Sequence, residues 1–262
     1  MKSWIKYLLL GVLSYLLFLI VQLPANKAYY FLEDLLEEKN IPVELFDLKG
    51  TAWHGSAGTL IYEGNRFESV AWEFHPLDLL KAKASISVRL KSKELSLKGM
   101  LSKNLSGDVE LQNVQANVSA TALLKLLKIP AVKLKGTFLL NLAQMQSSGK
   151  TLKYVQGRLL WSDAESQFPQ KLILGDVFAD VSTLDDGVIK VKLGDGGGPL
   201  ELRGDVTLSP DGKYDVKGYF SARAGRQSIL GRSLGFIGRY NAKGKAEFNR
   251  TGNISEFGFL LK

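Results

Sequence analysis

The chain has 262 residues, 45% of them hydrophobic and 23% charged, which suits a folded protein with core enough for one large β domain or two small ones. Its 34 Lys and Arg against 26 Asp and Glu leave a net charge of +8, spread along the chain as on a solvated sheet face rather than clustered for an acidic partner or anionic lipid. With no cysteine and only His54 and His75, disulfides, iron–sulfur clusters, thiol catalysis and cysteine-ligated zinc are excluded.

Residues 1–7 read as a cytoplasmic start and 8–25 as a transmembrane helix. From Leu8 to Leu23 the sequence LLLGVLSYLLFLIVQL carries no charge. Extended back to Trp4 it gives about 20 residues, enough for a bilayer core of about 30 Å. Lys6 can snorkel from the helix end, and Trp4 and Tyr7 sit where interfacial aromatics belong. The run is longer than a signal-peptide core and Leu23-Pro24-Ala25 is a poor cleavage site, so the segment reads as an uncleaved anchor. Lys2 and Lys6 precede it, whereas Glu33, Asp34, Glu37 and Glu38 soon follow. The positive-inside rule therefore places everything after the helix outside the cytoplasm.

Residues 26–42 read as an amphipathic helix and linker, with apolar positions 28, 29, 32, 35 and 36 and a stop at Asn40-Ile41-Pro42. From Val43 to Lys262 the period changes to two. Ile86, Val88 and Leu90 alternate with polar neighbours, as do Leu95 and Leu97, then Val132 to Leu142, then Ile189 to Leu193. In the clearest unit, Leu200 to Phe220, Ser209-Pro210-Asp211-Gly212 turns the chain so that Leu208 meets Tyr214 and Val206 meets Val216. Tripeptides such as Leu97-Lys98-Gly99, Leu202-Arg203-Gly204 and Val216-Lys217-Gly218 punctuate the strands, and strand glycines mark bulges or close backbone approach. The expected fold is mainly β: a curved, mostly antiparallel sheet of repeated hairpins behind a transmembrane helix. Two or three short helices interrupt it, at Pro76–Lys81, at Ser119–Lys128 (capped by Ser119 or Thr121 and stopped by Pro130), and at Arg226–Ile237. A soft break at Ser147-Ser148-Gly149 divides residues 43–262 into halves, about 43–146 and 150–262, of one sheet or of two lobes.

Chemistry is hard to find. Gly194-Asp195-Gly196-Gly197-Gly198 is followed by Pro199 and a strand, not by the helix that a phosphate loop requires, and reads as a β-turn. His54 and His75 have no partners at ligand spacing, and Asp185, Asp186 and Asp195 form no calcium loop. Asp163 and Glu165 are a carboxylate pair without a cleft. The clustered basic and aromatic strand residues of an oligonucleotide binder are missing, so no nucleic-acid partner is expected. The chain reads as a non-enzyme, with no catalytic, cofactor-binding or metal residues.

Certain short segments nevertheless carry a resemblance. In order they are Gly50-Thr51-Ala52-Trp53-His54-Gly55, Val70-Ala71-Trp72 with Pro76-Leu77-Asp78-Leu79-Leu80, Trp161-Ser162-Asp163-Ala164, Leu174-Gly175, Gly197-Gly198-Pro199-Leu200, Pro210-Asp211-Gly212-Lys213-Tyr214 and Ser233-Leu234-Gly235. Together they resemble the type II secretion system protein N family (general secretion pathway protein N) over almost the whole chain. The resemblance implies an accessory component of the bacterial cell inner membrane with a periplasmic domain. Such a component supports export of folded proteins through contacts with the secretin and inner-membrane platform proteins, and the family has no established catalytic residues. Motif and structural roles fall on Trp53, Gly55, Trp72, Trp161, Gly175, Gly198, Pro199, Gly204, Asp211, Gly212 and Tyr214, with the tryptophans expected in the interior or at sheet ends. The tryptophan–glycine opening also resembles the wider AsmA-like class of curved sheets, some linked to lipid transfer. That likeness implies an alternative, a periplasmic module holding lipid or acyl chains in a groove. The helices are too few to cover so long an apolar face, so self-closure or a groove must do the rest.

Overall fold

The computed structural model describes residues 3–129, 133–149, 151–167, 170–237 and 239–254. They divide into two units, Met1–Lys93 and Glu94–Lys262. The boundary is not the break expected near residue 147, where the chain instead turns a hairpin within the second unit.

In the first unit α1 (Ser3–Val21) is a 19-residue helix. All its described large apolar side chains, from Trp4 to Val21, are at least 47% exposed. No helix among the described residues is both long and apolar enough to cross a membrane. The helix stops at Val21, short of the residue 25 expected, and its 19 residues rise about 28 Å. Pro24, which cannot donate a backbone N–H, instead stands as the N-cap of α2 (Ala25–Glu38). In α2 Ala25 is buried and Ala28, Tyr29 and Leu36 are half-buried, whereas Leu32 and Leu35 of the apolar stripe stay exposed; the Tyr29 hydroxyl donates to Val43 O (3.3 Å) and accepts from Leu45 N (3.2 Å). That ties the helix to β1 (Val43–Phe46), which pairs with β4 (Thr59–Tyr62) and through it with β5 (Asn65–Phe67). Strands β2 (Lys49–Gly50), β3 (His54–Ala57), β6 (Ser69–Phe74) and β7 (Lys83–Lys91) pair in that order, all antiparallel. The expected turn at Pro76–Lys81 is a 3-10 helix, closed by Ala82 in the left-handed region.

The second unit is a meander of nine described strands, each paired antiparallel with the next. They are β8 (Leu95–Asn104), β9 (Val109–Ser119), β10 (Leu134–Ser148), β11 (Thr151–Ser166), β12 (Leu172–Thr183), β13 (Ile189–Asp195), β14 (Leu200–Leu208), β15 (Lys213–Ala222) and β16 (Ala246–Asn253). The hairpin register is the expected one, Leu208 opposite Tyr214 and Val206 opposite Val216. Two helices interrupt the strands: α3 (Ala120–Leu126), capped by Ser119 Oγ accepting from Ala122 N at 3.1 Å, and α4 (Ile229–Ile237). Pro130 and Val132 lie outside the described residues.

Two adjacent rows show how the sequence sets the register. One crosses all nine strands through apolar or glycine positions: Leu97, Ala116, Leu140, Leu159, Ala179, Leu193, Gly204, Gly218 and Phe248. The next is polar throughout: Lys98, Gln115, Asn141, Arg158, Asp180, Lys192, Asp205, Lys217 and Asn249. Five consecutive members, Arg158 to Lys217, alternate in charge, and Arg158 grips Asp180 with two nitrogens at 2.5 and 2.6 Å. A one-residue slip would interchange the two faces, burying charge.

The strand glycines are seats for neighbouring rings. A Cβ on Gly218 would lie 2.4 Å from the Phe248 ring, and one on Gly194 would lie 2.5 Å from Phe178. On the apolar face α4 places Leu230 and Leu234 against Leu172, Leu200 and Ala222. A second cluster, around Val114, Leu142, Val155 and Ile189, is built by the strands alone. Leu159, in the apolar row, stays 40% exposed.

The charge row makes a reciprocal prediction. Asp180→Arg sets three cations side by side and should lower stability by about 1 kcal/mol, and adding Arg158→Asp, which restores one opposed pair of unlike charge at the end of the charged run, should recover about half of that loss. Thermal melts of the single and double variants check it; no recovery in the double variant contradicts the register.

Candidate functional site

Among the described residues no group of three or more His, Asp or Glu is placed to hold a metal ion. The family-motif residues, Gly204 apart, fall into three structural devices, one in the first unit and two in the second; outside them His75 Nε2 lies 2.7 Å from Ser87 Oγ.

The first is a tryptophan clasp. The loop between β2 and β3 carries Trp53, whose indole N–H donates to Ile20 O (2.7 Å) at the end of α1, a carbonyl that also accepts from Leu23 N (3.2 Å). Ala52 N donates to Leu23 O (2.8 Å), and Pro24 forms an antiparallel bridge with Thr51. Trp72 in turn donates from its indole to Ala52 O (3.0 Å), so a second tryptophan holds the loop that holds the helix. Trp53 packs on Phe74 with ring centroids 5.2 Å apart. Gly55 is required by space: a Cβ there would stand 2.5 Å from the Trp72 ring. Trp53, Gly55 and Trp72 are thereby brought together, both tryptophans are half-buried, and His54 is exposed.

The second device gathers motifs far apart in sequence. Trp161 stacks on Phe138 at 5.2 Å and donates to Lys135 O (3.0 Å). Just beyond it the ladder is interrupted at Ser162-Asp163, with Asp163 in the left-handed region, and it resumes with Ala164 paired to Gly175. Asp176 accepts from Ser162 Oγ (3.1 Å) and Asp163 N (2.9 Å), which ties the bulge down. Gly175 also touches the turn before β14: a Cβ on it would lie 2.8 Å from Gly198 Cα, and the converse distance is the same. Gly175 has φ +84°, so steric space and backbone conformation both exclude other residues.

Asp195 and Arg223 lock this crossing. The Asp195 side chain, only 3% exposed, accepts from Gly197 N (2.9 Å), Leu202 N (2.9 Å) and the Arg223 guanidinium. Arg223 Nε donates to Gly198 O (2.8 Å), and its backbone N–H donates to Pro199 O (3.0 Å). Burial works against ionisation of Asp195, but the two amides and the guanidinium outweigh it and hold the carboxyl below its ordinary value of 3.8. Nearby, Glu201 accepts from Lys245 Nζ (2.9 Å), Ser221 Oγ (2.8 Å) and Tyr219 Oη (3.1 Å), and the Lys245 hydrogen bond leads in holding its carboxyl below 4.5.

Gly204 lies under the Phe248 ring, apart from the crossing. Asp211, Gly212 and Tyr214 form the third device, the β14–β15 turn. Asp211 Oδ1 accepts from Lys213 N (3.2 Å), Gly212 has φ +84°, and Tyr214 is buried opposite Leu208. Sequence reading missed Arg223, Asp176, Glu201 and Lys245. The hydrogen-bonded side chains of Arg223 and Asp195 are 28 positions apart, and those of Lys245 and Glu201 are 44 apart, with no local pattern linking them.

No nucleophile–base pair occurs in these contacts; their chemistry is that of hydrogen-bonded joints. Because Asp195 and Glu201 both titrate below their unfolded values, they stabilise the fold above about pH 4 and lose that contribution as pH falls through their folded values. Asp195→Asn should cost about 1–3 kcal/mol at pH 7. It should also make the acid-side fall in melting temperature shallower than in the unchanged protein. Equal steepness in melts from pH 6 to pH 2.5 contradicts the role given to Asp195.

The family model for type II secretion system protein N matches residues 42–249. A type II secretion system protein N from Vibrio cholerae serotype O1 is 25% identical, covering 97% of this chain and 100% of its own. A second, from Aeromonas hydrophila, is 24% identical with the same coverage. No solved structure matches the chain. The matched residues contain the β2–β3 loop of the clasp, the whole glycine crossing and the β14–β15 turn, and on that basis the chain belongs to the type II secretion system protein N family.

Proposed function

We propose that the chain is an accessory component of the type II secretion system, held to the inner membrane by α1, whose β units act in the periplasm through protein–protein contacts. The observation that carries this reading is the clasp. A helix that is apolar on all sides, exposed along its length and gripped at one end by a conformation-specific loop is built to lodge in lipid while holding a folded unit beside it. At about 28 Å its rise is slightly short of an average hydrocarbon core. Local thinning absorbs such a mismatch at a fraction of a kcal/mol per Å. Lys6 in the first turn of α1 and the acidic residues of α2 after it favour an N-terminus in the cytoplasm.

The contact surface proposed is the last described strand. Among the described residues β16 ends the strand order of the sheet: it pairs with β15 on one side, Tyr240 bridges its first residue Ala246, and Glu247, Asn249 and Arg250 are exposed. A partner strand added there would use main-chain hydrogen bonds and require no catalytic residue.

The absence of cysteine makes the test clean, because any introduced thiol is unique. Single substitutions Asn249→Cys and Arg250→Cys, oxidised in secreting cells, are expected to give adducts with a secretion subunit carrying a matching cysteine. Lys190→Cys, in the interior of the sheet, serves as the control. Stable variants that support secretion and give no adduct at β16 overturn the edge reading. An alkaline phosphatase fused after Lys262 should be active; an inactive, stably made fusion overturns the orientation.

A further inference from the structure

The register of the first unit brings a set of exposed leucines to the clasp. His54 stands opposite Glu73, so the β2–β3 loop and the connection from β6 to β7 leave the sheet at the same end. That connection is the 3-10 helix Pro76–Lys81. Trp53 links the two. Its indole reaches Ile20 O at the end of α1 (2.7 Å), its ring packs on Phe74 with centroids 5.2 Å apart, and Leu77 follows three residues later.

No residue of this 3-10 helix is buried. Leu77 is 75% exposed, Leu79 54% and Leu80 86%. Outside α1, Leu105 is the one other large apolar side chain among the described residues to exceed 70%. Side chains three apart eclipse in a 3-10 helix, so Leu77 and Leu80 form one ridge. The ridge is held out by its backbone. Pro76 presets the first turn, Asp78 N donates to His75 O (3.1 Å), and Ala82, in the left-handed region, donates to Leu79 O (2.9 Å). His75 N donates in turn to Ser85 O on β7 (2.9 Å). So firm a hold on apolar surface in water marks a contact surface. The one acid of the turn, Asp78, pairs with Lys81 at 3.7 Å, and the long Lys81 side chain can reach past lipid headgroups to water.

We propose that the Leu77–Leu80 ridge seats in the bilayer surface, at the boundary of headgroups and acyl chains on the side where α1 ends. Continuity carries the choice of occupant. The clasp ties the ridge to the point at which the apolar surface of α1 stops, and an apolar ridge tied there meets lipid before any soluble partner. The contact is with the membrane surface, and no lipid molecule is held within the protein. It gives the first unit a second attachment, which fixes its attitude to the membrane as α1 alone does not. The inference rests on the reading of α1 as a membrane anchor.

The test uses the full chain in phosphatidylcholine nanodiscs, with single substitutions Leu77→Cys, Leu80→Cys, Ser69→Cys and Leu13→Cys in a protein that has no cysteine of its own. Ser69, exposed at the far end of β6 and about 17 Å along the strand from Phe74, is the water reference. Leu13, midway along α1, reports the anchor. A charged maleimide should modify Leu77→Cys and Leu80→Cys at least about tenfold more slowly than Ser69→Cys, because the thiolate forms only where water reaches. A fluorophore on Leu80→Cys should be quenched by lipid carrying a nitroxide near its headgroup, and the same fluorophore on Ser69→Cys should not. Slow modification at Leu13→Cys, with the ridge as fast as Ser69→Cys, overturns the inference and leaves the anchor standing. Fast modification at Leu13→Cys overturns the anchor and the inference with it. A slow ridge without nitroxide quenching is covered by protein, which also overturns the inference.

Discussion

The second unit depends on one constraint, the fixed register of nine antiparallel strands. A sheet alternates its side chains with period two, so an apolar row and a polar row can lie side by side only when no strand slips. Here the row from Leu97 to Phe248 and the row from Lys98 to Asn249 satisfy that condition across every strand. Everything else is arranged around it. The strand glycines make room for Phe178 and Phe248 on neighbouring strands, and the bulges at Gly136 and Asp163 let β10 and β11 bend without losing the alternation. The turns are fixed where side-chain carboxylates can reach backbone amides, at Asp195, Asp186 and Asp211.

The same economy explains the family motifs. Each marks a place where backbone must approach backbone, or an indole must reach a carbonyl. Trp53, Trp72 and Trp161 are chemically alike in this respect: each spends its single N–H on a main-chain oxygen distant in sequence, at Ile20, Ala52 and Lys135. A phenylalanine would fill the same space without the hydrogen bond, which is why the residue type carries information.

Much of this was legible in the sequence. Period-two alternation located the strands of the second unit, and Pro210-Asp211-Gly212 gave its clearest hairpin to the residue, because turn chemistry and alternation are local properties. The limits were equally physical. The end of α1 is set by Pro24 and by the Trp53 loop reaching back to Ile20, and a contact 33 positions away has no local signature. The convergence of Trp161-Ser162-Asp163-Ala164 with Gly175 and Gly198 depends on two bulges, which a strict alternation pattern cannot register. Asp195 stood out in sequence as a conceivable cation ligand. Its partner Arg223 turns it into an internal strut, a role visible only once β13 and β15 are placed.

The register itself can be measured in a chain that has no cysteine of its own. Paired substitutions at Gln115/Asn141, Arg158/Asp180 and Lys192/Asp205 put two thiols directly opposite each other in the polar row. Directly opposed strand residues lie about 4.5–5.5 Å apart, within disulfide reach. Mild oxidation should close all three pairs. The one-residue-slipped pair Lys192/Val206, whose side chains lie on opposite faces, should stay reduced. Closure of the slipped pair, or failure of the opposed ones in folded protein, contradicts the account.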